Sequence, residues 1–149
     1  MKKTILFIVI ATLLLNGCGK MDPDSGISEE ALYIGTVSVL YNGETVNNEN
    51  IKVRFAPKDD GTAATIKIYR IRFVPKMPVR VDVTIPDITI DTSGDRITFS
   101  CDEVIPLALG GEYPKYIVTD LAGEVVGNEL EFSLKFGEYP TSFTGRLNQ

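Results

Sequence analysis

From Tyr33 onward, apolar and polar residues alternate in short runs, and no helical period is sustained. LYIGTVSVLY (32–41) sets Val37, Val39 and Tyr41 on one face, with Thr36 and Ser38 opposite. Asn42-Gly43 then supplies a hairpin turn of the kind that needs positive φ. IKVRF (51–55) alternates Ile51, Val53 and Phe55 against Lys52 and Arg54, and KDDGT (58–62) makes the next turn. ATIKIYRIRF (64–73) alternates through Ile66 and Ile68, then changes phase to Ile71 and Phe73. Such a one-residue slip predicts a β-bulge near Tyr69 or Arg70. VRVDVTI (79–85) predicts inward Val79, Val81, Val83 and Ile85, interrupted by Pro86 before DITI. RITFSC (96–101) turns Ile97, Phe99 and Cys101 inward. YIVTDLAGEV (116–125), ELEFSLKF (129–136) and TSFTGRL (141–147) complete the set, with Leu130, Phe132, Leu134 and Phe136 on one side of the clearest strand.

This pattern predicts an all-β domain of about eight antiparallel strands joined largely by hairpins. Half-buried strands must cover one face, and eight is a number at which a sheet closes into an up-and-down barrel. A two-sheet β-sandwich is the alternative. YIGTV, LAGEV and FTGRL each place a glycine between apolar positions, which predicts sharp bends at Gly35, Gly123 and Gly145 that help the barrel close. Gly35 and Gly145 belong to the first and last strands, which pair in such a barrel. GEYP occurs at 111–114 and 137–140, each time before a strand, and reads as a reused turn.

The segment before the strands has another character. Lys2 and Lys3 precede an apolar run from Ile5 to Leu15, about half the length needed to span a bilayer. A charged start, a short apolar core and small residues at its end describe an export signal over residues 1–17. Leu15-Asn16-Gly17-Cys18 resembles the bacterial lipobox, which implies cleavage before Cys18 and lipidation of that residue. Several acyl chains hold a protein stably on a membrane surface without a span. Residues 18–30 are polar and acidic, broken by Pro23 and Gly26, and read as a flexible tether. Residues 31–149 are the barrel domain. Lys20, Asp22 and Asp24 loosely resemble the acidic surface-export signal of Bacteroidetes lipoproteins.

The chain carries 15 basic and 20 acidic residues, and without Lys2 and Lys3 the balance is 13 against 20. An acidic surface argues against nucleic acid, where phosphate neutralisation dominates affinity. With Cys18 acylated, Cys101 has no disulfide partner and reads as a small apolar side chain. The absence of histidine removes the commonest general base, the usual triads and most zinc sites. Asp102 and Glu103 are adjacent and point to opposite faces, so they cannot flank one glycosidic bond. Asp59-Asp60, and Asp87, Asp91 and Asp95, read as turn residues rather than calcium ligands. No catalytic residue, cofactor or metal site is expected. Arg70, Arg72 and Arg80 form the one cationic candidate, either converging on an anionic head group or lying on a solvated face with Asp82.

The lipobox, the YIGTVSV opening strand, the GNELEFSLKF hairpin strand and the closing SFTGRL resemble the calycin-like β-barrel lipoproteins of Bacteroidetes. That likeness spans residues 31–149 and implies a lipocalin-like shape, though the tryptophan usual near the first strand of lipocalins is missing. It implies an envelope lipoprotein, anchored at the outer membrane through Cys18, that binds a small apolar or amphipathic ligand inside the barrel. Phe55, Arg70, Phe99, Phe132 and Phe136 are the expected ligand-lining residues. The alternative is a filled barrel that joins an envelope protein partner through exposed tyrosines such as Tyr41, Tyr69, Tyr113 and Tyr139.

Overall fold

A computed structural model describes residues 31–72 and 75–148. The export signal, Cys18, the tether and Phe73 lie outside the described residues. Ten strands follow in chain order: β1 (Ala31–Tyr41), β2 (Glu44–Pro57), β3 (Ala63–Ile71), β4 (Val81–Ser93), β5 (Arg96–Val104), β6 (Leu107–Ala108), β7 (Gly111–Glu112), β8 (Val118–Val126), β9 (Glu129–Phe136) and β10 (Tyr139–Leu147). A single turn of 3-10 helix, Pro114–Tyr116, precedes β8. No helix among the described residues is long and apolar enough to cross a membrane.

Eight strands form a closed antiparallel wall in the order β1, β2, β3, β4, β5, β8, β9, β10, and β10 returns to β1. The unbroken ring of pairings excludes the two-sheet sandwich. The wall closes with Gly35 opposite Gly145, Val37 opposite Phe143 and Val39 opposite Thr141. The lower rim carries the start of β1, the end of β10 and the 58–62, 94–95 and 127–128 turns. The upper rim carries the Asn42-Gly43 turn, residues 75–80 and the segment from 105 to 117.

Bends in this wall come from residues added to single strands. Asn50, Arg70, Asp87 and Asp120 all have φ between 55° and 59°, and each lies at a register shift of one residue. An extra residue of this kind increases local twist and curls the sheet. The phase change in β3 is therefore a bulge at Arg70, as its sequence indicates. A second bulge lets β4 run through Pro86 to Ser93, so the strand does not end there. Pro86 stands beside Asp87 where the β3 ladder slips, a position that tolerates a missing N–H.

Alternation along the strands fills the interior. Val37, Val53, Ile66, Ile68, Ile71, Val83, Ile85, Ile88, Leu130, Phe136 and Phe143 are almost completely buried. Full burial of each such side chain contributes about 1.5–3 kcal/mol. Val79 departs from expectation, at 54% exposed. The strand begins only at Val81, so alternation counted back from it has no physical meaning. Cys101 is half-buried and packs against the edge of the core. The two GEYP copies also differ. Gly111-Glu112 forms β7, whereas Gly137 has φ 60° and turns the chain from β9 into β10.

One seam is incomplete. β4 pairs with β5 only from Thr89 to Ser93. Above that point β5 stays with β8, and β4 instead meets β6 at Thr84–Leu107. The β6–β7 hairpin therefore forms a flap that continues the sheet from the upper edge of β4, in the place β5 has left, with Ala108 buried in the core.

Candidate functional site

The barrel interior is the first place to look for a ligand, and aromatic rings occupy it. Phe55 and Phe99 have ring centroids 5.3 Å apart, Phe99 and Phe132 6.3 Å, and Phe132 and Phe143 5.4 Å. All four rings are buried, so they span the lumen as a continuous aromatic chain. Phe136 is fully buried near the upper end of β9. Phe143, absent from the expected lining, follows from the alternation of TSFTGRL as plainly as its neighbours.

At Gly35, Gly123 and Gly145 the packing leaves no room for a side chain. A Cβ on Gly35 would overlap the Thr144 carbonyl oxygen, and one on Gly145 would strike the Phe143 ring. These two glycines pair across the closing seam. Gly123 lies elsewhere, between β5 and β9, where the Phe99 ring and the Phe132 side chain occupy the space a Cβ would need.

Four tyrosines close the upper rim. Tyr113 stacks on Tyr116 at 5.2 Å, Tyr116 meets Tyr139 at 6.2 Å, and Tyr139 meets Tyr41 at 5.5 Å. Burial, with the neighbouring phenols adding to it, raises the pKa of Tyr116. Tyr41, Tyr113 and Tyr139 are half-buried in this lid and are not separate exposed anchors. Tyr69 stands apart, accepting a 3.1 Å hydrogen bond from Arg54 Nε and receiving Lys67 Nζ at 5.1 Å from its ring centre.

Two of the acidic turn residues are held by neighbouring groups. Asp60 accepts the Thr62 N–H at 3.0 Å and the Thr62 hydroxyl at 2.9 Å, which lowers its pKa. Asp87 pairs with Lys58 at 2.6 Å, and that hydrogen bond raises the lysine pKa. Among the described residues, no three acidic or cysteine side chains gather as metal ligands.

The chemistry left over lies outside the wall. Arg70 is exposed at its bulge and does not join the interior phenylalanines. Its backbone N–H donates to Asp82 Oδ1 at 3.0 Å, and its carbonyl accepts Arg80 Nη1 at 3.3 Å. Arg70 and Arg80 are thus held side by side on the outer face of β3 and β4. Arg72 does not join them: it is half-buried, and its enclosed Nε has no hydrogen-bond partner among the described residues. Lys67, Arg70, Arg80 and Asp82 line one side of a groove of about 590 Å3, and Leu107 to Gly111 of the flap line the other. Arg70 and Arg80 are among the cations expected from the sequence, whereas Lys67, Leu107 and Leu109 are not. A signal was present, because residues 52–80 carry eight basic side chains and two acidic ones in a protein of net charge −5.

No protein-family model, curated protein or solved structure matches this chain.

Proposed function

We propose that this protein is a lipid-anchored binding module of the bacterial cell envelope, with its recognition surface on the outer wall of a filled barrel. The observation that carries this reading is the chain of phenylalanine rings across the lumen, where a lipocalin would hold its ligand. A packed interior makes the barrel a rigid support, and the amphipathic groove offers a small ligand both charge and apolar surface. Ligand sites generally combine apolar walls with a few placed polar groups, in volumes of about 300–1,000 Å3. The absence of histidine favours binding over catalysis.

The anchor rests on the lipobox at Leu15–Cys18 and on the resemblance to calycin-like lipoproteins of Bacteroidetes, which favours the outer membrane. Fractionation of cells expressing the Cys18→Ser chain tests it. The wild-type protein is expected with membranes and the variant as unprocessed or soluble protein. A variant that stays membrane-bound at the wild-type level would refute the anchor.

A further inference from the structure

The groove between β4 and the flap concentrates features that ordinary folding does not require. Lys67, Arg70 and Arg80 stand together without an ion pair among the described residues. Asp82, the acid among them, is engaged by the Arg70 backbone N–H. By contrast Lys58, Arg96 and Arg146 each have a carboxylate within 3.0 Å. A neutral N–H bond leaves the Asp82 carboxylate negative, so it offsets one of the three positive charges, and an anion in the groove would neutralise the remainder.

The opposite wall is equally unusual. Leu109 holds φ 53° at the tip of the flap and is 68% exposed, and Leu107 beside it is 40% exposed. Leucine is disfavoured in the left-handed region, and water is a poor solvent for its side chain. Asn or Gly would satisfy the same turn without either cost. A strained residue kept at a groove wall points to use there.

We infer that this groove binds a small anionic amphiphile. Its carboxylate, sulfonate or phosphate head sits between Lys67, Arg70 and Arg80, and its apolar body lies against Leu107 and Leu109. The inference rests on the outer-wall reading above and adds the ligand class. A free amphiphile fits better than a bilayer lipid. A net charge of −5 opposes approach of the protein to an anionic bilayer, whereas a small free anion meets only the local cations of the groove.

Calorimetric titration of the full chain carrying Cys18→Ser tests this, with decanoate below its micellar concentration as probe. Decanoate is expected to bind, with an affinity that falls as salt rises. Decyltrimethylammonium, of like length and opposite charge, is expected not to bind. Arg70→Gln with Arg80→Gln should weaken decanoate at least about tenfold, since two charge-assisted contacts are lost. Both residues are exposed, so the fold should survive. Leu109→Asn should weaken binding with no loss of stability.

Equal affinity in the arginine double variant, or equal binding of the cation, would overturn the inference. Binding to phosphatidylglycerol vesicles without binding to decanoate would overturn it in favour of a membrane surface. No binding to any probe overturns the groove inference and leaves the outer-wall reading standing. Amide resonance shifts at Phe99 and Phe132, in place of Thr84 and Gly110, would put the ligand in the lumen and overturn both.

Discussion

At Gly35 and Gly145 a missing side chain decides whether the wall can close. The two residues face each other across the first and last strands, and the backbones approach too closely for a Cβ at position 35. Gly35→Ala must therefore push β10 outward or distort β1, and overpacking of this kind costs about 1–3 kcal/mol. Gly111→Ala meets nothing within 4 Å and serves as control, expected within about 0.5 kcal/mol of wild type. Urea denaturation of both variants checks this, and equal midpoints would show that the seam accommodates a methyl group. The seam was legible in the sequence because glycine recurs between apolar positions in strands whose order fixes their pairing. The location of Arg70 was not. Alternation reveals that a bulge exists, but the extra residue decides which face its side chain takes.

Among the elements, the long strands were readable and the short ones were not. ELEFSLKF buries every second side chain, and eight residues of alternation leave little ambiguity. β6 and β7 have two residues each, too few for any period to show. Their turn was also disguised, because Leu109 takes a position where asparagine or glycine would announce a hairpin. Replacing Leu109 by Asn should remove the left-handed penalty, worth about 1 kcal/mol, and raise the thermal midpoint. A lowered midpoint would mean that the leucine contributes to packing that its exposure conceals. Together with the weaker ligand binding expected of the same variant, a higher midpoint would mark Leu109 as a residue kept at the expense of stability.

For the whole molecule, pH reports how deeply the aromatic groups are set. Burial raises the pKa of Tyr33 and Tyr116, and pairing with Asp87 raises that of Lys58. A raised folded-state pKa contributes stability that is complete below the unfolded value and lost as pH climbs through the folded one. Asp60 works in the opposite sense, since its lowered pKa supports the fold above the ordinary carboxylate range and fails only in acid. Stability should therefore be level around neutrality and fall above about pH 10. Tyrosinate absorbance is expected to rise in step with unfolding as pH increases, and Tyr33→Phe should move the onset upward. An onset unchanged by that substitution would exclude Tyr33 as a cause. Charge segregation was legible as a count along residues 52–80. Its placement beside a flap was not, because that depends on where β4 leaves β5.

The pairing of β1 with both β2 and β10 has a mechanical consequence. Suppose the chain is held at Ala31 from below while a ligand or partner is grasped at the upper rim. Tension then runs lengthwise along β1, whose hydrogen bonds to β2 and β10 lie across the direction of pull. Such a load is shared by both ladders at once instead of unzipping them bond by bond. β1 is thereby braced along both edges against being drawn out lengthwise.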